Sequence, residues 1–313
     1  MDKRTPWIIT LLLVATFITP QAFAATSIKV IASFSVIEDL VKRVAGDDIS
    51  ITTIVPEGDD VHRWELTPPN VLAVEEADIV FYNGHGLEPW IRHVEAMAND
   101  TLTLMALAES ANYAPLTIPV GQHKGNPDPH MWMDPKGAAA YIEVITHTLS
   151  VRYPDKAAAF QARAVQAREA LALLDQQIKE RLEGIPQTNR ILTTSEAAFG
   201  YFAHAYGFEY AAIWGLGSET LGSAQAMEIM SKRLTDKRPP ALFYESTTPY
   251  IHMDALAREA GLTLAGPLYV DTLSDTDGPA YNYPAMLRHN AELLHEALGG
   301  ARAEEKALAN QLA

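Results

Sequence analysis

Hydrophobic and polar positions along the chain alternate between two periods. Ile28 to Ser33 is a nearly continuous apolar run of strand length, and Val36 to Ala45 then spaces its apolar residues for a helix with one buried face, stopping at Gly46. Ile49 to Val55 reads as a second strand and Pro68 to Glu76 as a helix, and Ile79 to Tyr82 is a short strand before the turn Asn83-Gly84-His85-Gly86. In the second half, strands are expected at Arg190 to Thr194, Ala241 to Tyr244 and Thr263 to Leu264. Helices are expected near Ala197 to Tyr206, Ala224 to Leu234, Ile251 to Ala260 and Tyr283 to Leu298. Strands and helices in alternation predict an α/β fold of two lobes, each with a mainly parallel sheet flanked by helices.

Between the two halves, Asp155 to Glu183 is rich in Ala, Gln, Leu, Glu and Arg and contains neither Gly nor Pro. Pro154 opens it, and Gly184 and Pro186 close it. The segment predicts one helix of about 29 residues, roughly 43 Å long. Packed along both lobes, such a helix would limit their relative motion to small tilts; the alternative is a surface helix inside one domain. The expected organisation is a lobe at 25–154, a linker helix at 155–184 and a lobe at 185–313.

The start of the chain follows neither period. Lys3 and Arg4 precede an apolar run from Trp7 to Ile18, then Pro20 and the small-residue pattern Ala22-Phe23-Ala24, which reads as a cleavable secretory signal over residues 1–24. Its apolar core of about a dozen residues is too short to cross a bilayer comfortably, so a soluble, exported protein beginning near Ala25 is expected, in the periplasm. About 290 remaining residues make two domains the default.

Composition narrows the chemistry. Cysteine is absent, which removes disulfides, thiolate metal sites and the cysteine of a lipid anchor, so a freely diffusing periplasmic protein is expected, and it is read as a monomer. Lys and Arg number 24 against 39 Asp and Glu, a net charge of -15. That balance disfavours nucleic acid as a partner and attracts cations, although many secreted proteins are acidic for solubility alone.

The chain has 10 histidines, so a lone one carries little weight. His147, His204, His252, His289 and His295 fall in segments read as helical, His85 and His93 flank a turn, and His123 lies in a short loop; none has a pattern that assigns it a role. His62 and His130 differ. The stretch Pro56 to His62 runs off the end of a strand, where ligand sites of open α/β sheets gather. His130 is framed by Pro127, Pro129 and Pro135, which limit the backbone entropy lost on binding. The alternative for each is a loop histidine bonded to backbone. Glu196 stands where a strand gives way to a helix, and Ser195 before it makes an ordinary helix start the favoured reading from spacing alone; Asp271 has the same ambiguity.

Six separated blocks resolve these alternatives by resemblance. The residues around His62, the stretch DPHMWMDP, SEAAFGYFAHAYGFE, FYEST, GPLYVDTLSD and NYPAMLRHN together resemble the manganese, zinc and iron solute-binding proteins of bacterial ABC transporters, in order along nearly the whole chain. The resemblance implies a metal held between two lobes and passed to an inner-membrane permease, with His62, His130, Glu196 and Asp271 as ligands and no catalysis. Zinc-binding members commonly have a histidine at the third position and a long His-rich loop before the second block. Here Glu196 and a short loop with His123 alone imply Mn2+ or Fe2+, with Zn2+ the second choice. Two imidazoles and two carboxylates suit the harder ions, though such a set does not fix the metal. His85 departs from the apolar residue usual in relatives, and Trp64-Glu65-Leu66 from their usual sequence after the first ligand. Glu245 is expected either to back a ligand histidine from behind or to cap the helix near Thr248. A metal-dependent hydrolase is the competing class, but no His-Glu-x-x-His helix or phosphate loop supports it. A surface adhesin is a third, weakened by the lack of an anchoring cysteine.

Overall fold

The computed structural model describes residues 28–217 and 223–299; the expected signal segment at 1–24 lies outside the described residues. The first lobe runs β1 (Ile28–Phe34), α1 (Ser35–Ala45), β2 (Ile49–Val55), α2 (Pro68–Glu75), β3 (Ile79–Tyr82), α3 (Ile91–Met97), β4 (Thr103–Ala106), α4 (Leu107–Ser110) and α5 (Pro135–Arg152). After α6 (Ala157–Leu182), the second lobe runs β5 (Ile191–Glu196), α7 (Gly200–Tyr206), β6 (Glu209–Trp214), α8 (Ala224–Asp236), β7 (Ala241–Glu245), α9 (Ile251–Ala260), β8 (Thr263–Leu268) and α10 (Tyr283–Ala297). None of the described helices is long and apolar enough to cross a membrane.

Strand β1 is buried at every position but Lys29, as expected of a parallel strand covered on both faces. It pairs in parallel with β2 on one side and β3 on the other, giving the order β2-β1-β3-β4. The second lobe sets two two-stranded sheets side by side in the same spatial order. β5 pairs in parallel with β6, β7 with β8, and β5 packs alongside β7. In each lobe the chain therefore reverses its winding beside the first strand, which opens a crevice at the carboxyl ends of the strands.

The linker is 26 residues of α6, about 39 Å long, preceded by a 3-10 turn at Pro154–Lys156. Its buried face is Phe160, Ala164, Ala167, Leu171, Leu174, Ile178 and Leu182, residues three and four apart. This stripe packs on α1 and α5 of the first lobe and on α10 of the second. Near one end Arg163 donates to the carbonyls of Val44 and Ala45 at 2.7 Å, satisfying acceptors left open at the end of α1. Beyond the other end, Arg190 does the same for Leu182 at 2.7 Å. One continuous hydrophobic cluster passes from β1 through Trp132 and α6 to Tyr283 and Leu298.

Three features depart from the expected pattern. β4 and β6 are absent from the sequence reading, because β4 is half-buried at all four positions and β6 carries its buried residues consecutively, so neither alternates. The short helices α3 and α4 are likewise unforeseen. Finally, Ala197 does not begin α7. Glu196 remains in β5, and its carbonyl accepts from Thr194 Oγ1 at 2.7 Å and Tyr210 Oη at 2.8 Å, while Tyr210 Oη also accepts from the amide of Phe199 at 3.1 Å. A tyrosine from the next strand thus takes the groups that a helix start at Ser195 would use.

Because Leu174 is fully buried within the linker stripe, Leu174→Ala should destabilise the protein by about 2–5 kcal/mol in chemical denaturation. A loss below about 1 kcal/mol would mean that the stripe is not packed as described.

Candidate metal centre

Each of the four side chains singled out in the sequence is delivered by a segment at the carboxyl end of a sheet. His62 lies between β2 and α2, in a loop fixed by a bond from Trp90 Nε1 to the carbonyl of Val61 (3.1 Å) and one from the His62 amide to Asp60 Oδ1 (2.9 Å). His130 lies beyond β4, where Asn83 Nδ2 holds the carbonyl of Pro129 at 2.9 Å. Glu196 is the last residue of β5, and Asp271 follows β8.

These side chains meet in a space nearly closed to solvent, with side-chain exposures of 6% for His62, 0% for His130, 4% for Glu196 and 3% for Asp271. His62 Nε2 is 3.1 Å from Glu196 Oε1 and 3.6 Å from Asp271 Oδ2, and His130 Nε2 is 3.7 Å from Asp271 Oδ1. Donor atoms of His62, His130 and Glu196 all lie within 4.8 Å of one another. Asp271 turns one oxygen to each imidazole. Ligand atoms about 2.1 Å from a shared ion at angles of 90–110° are about 3.0–3.4 Å apart, so the spacing fits one cation at a modest contraction. Moreover, both Nε2 atoms and Asp271 Oδ1 are buried without a hydrogen bond of acceptable geometry. Such groups normally find a partner; His62, His130 and Glu196 form the close group, and Asp271 stands against each imidazole from beside it.

The surroundings orient the donors. Asp128 Oδ1 accepts from His130 Nδ1 at 2.8 Å and from the His130 amide at 3.0 Å, which turns the Nε2 lone pair of the neutral ring toward the centre. Asp128 was not among the residues singled out, although its place two before His130 in Asp-Pro-His was the available signal. Gly200 is needed beside it, since a Cβ there would stand 2.7 Å from Asp128 Oδ2. Glu196 Oε1 accepts from the amide of Gly217 at 2.6 Å, and a Cβ on Gly217 would meet that of His62 at 3.1 Å.

Glu245 bonds to neither imidazole among the described contacts. It accepts from the Glu196 amide at 3.1 Å and from Thr248 Oγ1 at 2.9 Å, so it supports a carboxylate through its backbone rather than a histidine through its ring. The helix it might have capped begins later, at Ile251. Burial pushes the Glu245 carboxyl up to about 7. His85 lies against Glu109 at 3.8 Å and His123 is in an exposed turn; neither joins the cluster.

Burial acts to lower both imidazoles, but the carboxylates outweigh it. Glu196 and Asp271 hold His62 well above its ordinary value, and Asp128 raises His130. Asp271 is held below the usual carboxylate range by the two histidines despite its burial. In the metal-free protein, proton binding to the raised histidines therefore stabilises the fold below about pH 6.5, and this contribution is lost as pH climbs through the raised values. Metal has the opposite dependence, because ligating imidazoles must be neutral.

Removing the orienting carboxylate with Asp128→Asn should weaken metal affinity about 10- to 100-fold while leaving a cooperative unfolding transition; calorimetric titration reads the first, and unchanged affinity would separate Asp128 from the site. Apparent affinity should fall steadily from about pH 8 to pH 5 as protons compete for the two rings. A flat profile over that range would contradict imidazole ligation.

Residues 30–297 match the family described as zinc-uptake complex component A, periplasmic. The iron-binding protein YfeA of Yersinia pestis is 30% identical over 275 residues, covering 88% of each chain. The manganese-binding lipoprotein MntA of Halalkalibacterium halodurans is 31% identical, covering 85% of this chain and 86% of its own. Among solved structures, the periplasmic zinc-binding protein TroA of Treponema pallidum superposes with a TM-score of 0.81 at 26% identity, over 88% of this chain and all of that one (100%). A manganese-bound periplasmic metal-binding protein from Candidatus Liberibacter asiaticus gives 0.78 at 28% identity, over 86% of this chain and 98% of that one. The chain belongs to this family of metal-capturing substrate-binding proteins of ABC transporters, which are not enzymes.

Proposed function

We propose that this protein captures one Mn2+ or Fe2+ ion with His62, His130, Glu196 and Asp271 and delivers it to the permease of an ABC importer. The observation that carries the reading is the convergence of two buried, hydrogen-bond-free imidazole nitrogens on the carboxylates of Glu196 and Asp271. Two nitrogens and as many as four carboxylate oxygens suit the harder members of the first transition series. The family description names zinc while the relatives are named for iron and manganese. Zn2+ is the second choice, since intrinsic affinity rises from Mn2+ through Fe2+ to Zn2+ at most such sites. A hydrolase would need an open coordination position for water, and four protein donors in a nearly closed space argue against one.

The lobes are taken as 25–154 and 185–313, joined by the linker at 155–184. Several relatives are lipoproteins, whereas the 313 residues here include no cysteine to carry a lipid. We infer that this chain works in the periplasm as a monomer.

Native mass spectrometry of protein from a periplasmic extract tests these readings together. The expected species is a monomer carrying one Mn2+ or Fe2+ ion; zinc as the ion carried from the extract would reverse the metal assignment. Asp271→Ala should lose more affinity than the 10- to 100-fold typical of an outer partner and still fold. Retained affinity in that variant would remove Asp271 from the ligand set.

A further inference from the structure

His130 and Asp271 come from different lobes, yet their loops are joined by a single side chain. Trp132, two residues beyond His130, donates its indole Nε1–H to the carbonyl of Val270, the residue before Asp271, at 3.1 Å. We propose that Trp132 is a positioning residue that fixes Asp271 against His130 and governs how fast the bound ion leaves; the inference rests on the metal-capture reading above.

The geometry around Trp132 leaves it little freedom. The side chain is fully buried, its ring centroid is 5.2 Å from that of Phe34 and 5.3 Å from that of His130, and its own carbonyl accepts from Tyr283 Oη at 2.6 Å. Asp271 is held from the other direction too. Asn290 of α10 donates to the carbonyl of Tyr269 at 2.7 Å and accepts from its amide at 2.9 Å. The segment 269–271 is thus gripped by α10 on one side and by the His130 loop on the other.

Two more bonds join this stretch to the first lobe, from the amide of Gly58 to Thr272 Oγ1 (2.8 Å) and from the amide of Leu273 to Ser35 Oγ (2.9 Å). Neither reaches the His130 loop. Among the described residues, the indole bond is the direct hydrogen bond between the two loops that present His130 Nε2 and Asp271 Oδ1 at 3.7 Å. For an ion to escape between them, these loops must part and the indole must release the Val270 carbonyl. Among variants of one binding site most of the difference in affinity falls on dissociation, and the contribution of this bond is read there.

The test compares wild type with Trp132→Phe, which keeps a buried ring and removes the donor. Stopped-flow transfer of bound Mn2+ to excess chelator should be about tenfold faster in the variant, the effect of one buried hydrogen bond, with the association rate within about twofold of wild type. Site-specific benzothienylalanine at position 132 keeps both rings and replaces N–H by sulfur. It must reproduce the faster release, and it supplies the answer if the smaller phenyl ring impairs folding. Unchanged release in the benzothienylalanine protein, or a loss of affinity carried wholly by slower association, overturns the role of Trp132 alone. A wild-type protein that takes up no ion overturns the metal reading itself.

Discussion

Two carboxylates brought beside the same pair of imidazoles in a space nearly closed to water form the constraint on which the rest of this structure depends. Buried charge is costly unless it is matched, and Glu196 and Asp271 can be matched by protons on His62 and His130 or by a divalent cation. The carboxylates raise both histidines, which favours the first solution when no metal is bound. The proposed cargo is the second, and it neutralises the two carboxylates while leaving the rings neutral. Nearby acids are managed so as not to add to the charge. Burial pushes Glu88 and Glu245 up to about 7; Glu88 accepts from the amides of Asn83 and Gly84, and Glu245 from the amide of Glu196 and the hydroxyl of Thr248.

The fold meets this constraint by building the same spatial arrangement of strands twice, as one four-stranded sheet and as two two-stranded sheets side by side. Both lobes wind 2-1-3-4, so each has its crevice at the carboxyl ends of its strands, and each delivers two of the four donors from there. The donors reach their positions through backbone bonds rather than through long flexible side chains. Trp90 fixes the His62 loop, Asn83 the His130 loop, Tyr210 the end of β5, and Asn290 the approach to Asp271. A site assembled from three loops and the end of a strand thereby acquires the precision of the sheets and helices behind it.

A continuous core limits how far such a site can open. The apolar cluster runs from one lobe through α6 into the other, and large hinge rotation would expose Trp132, Phe34 and Tyr283 to water. Small tilts that part the ligand loops while α6 stays packed are the less costly motion. Opening then concerns a few cross-lobe hydrogen bonds around Asp271, and the hydrophobic core remains intact.

The sequence by itself determined the α/β class, the long helix between two halves and the loops that carry His62 and His130, because periodicity, helix propensity and proline placement are local properties. It also contained Glu196 and Asp271, but only family resemblance separated them from ordinary helix-start acids. The tertiary structure decided what depends on distant partners. Tyr210 reached back from β6 to keep Glu196 in a strand, Asp128 rather than Glu245 took the ring nitrogen of a histidine, and β6 formed without any alternation to announce it. Each of these outcomes rests on a hydrogen bond or a burial between residues that neighbouring sequence does not bring together, which is why local pattern could not foresee them.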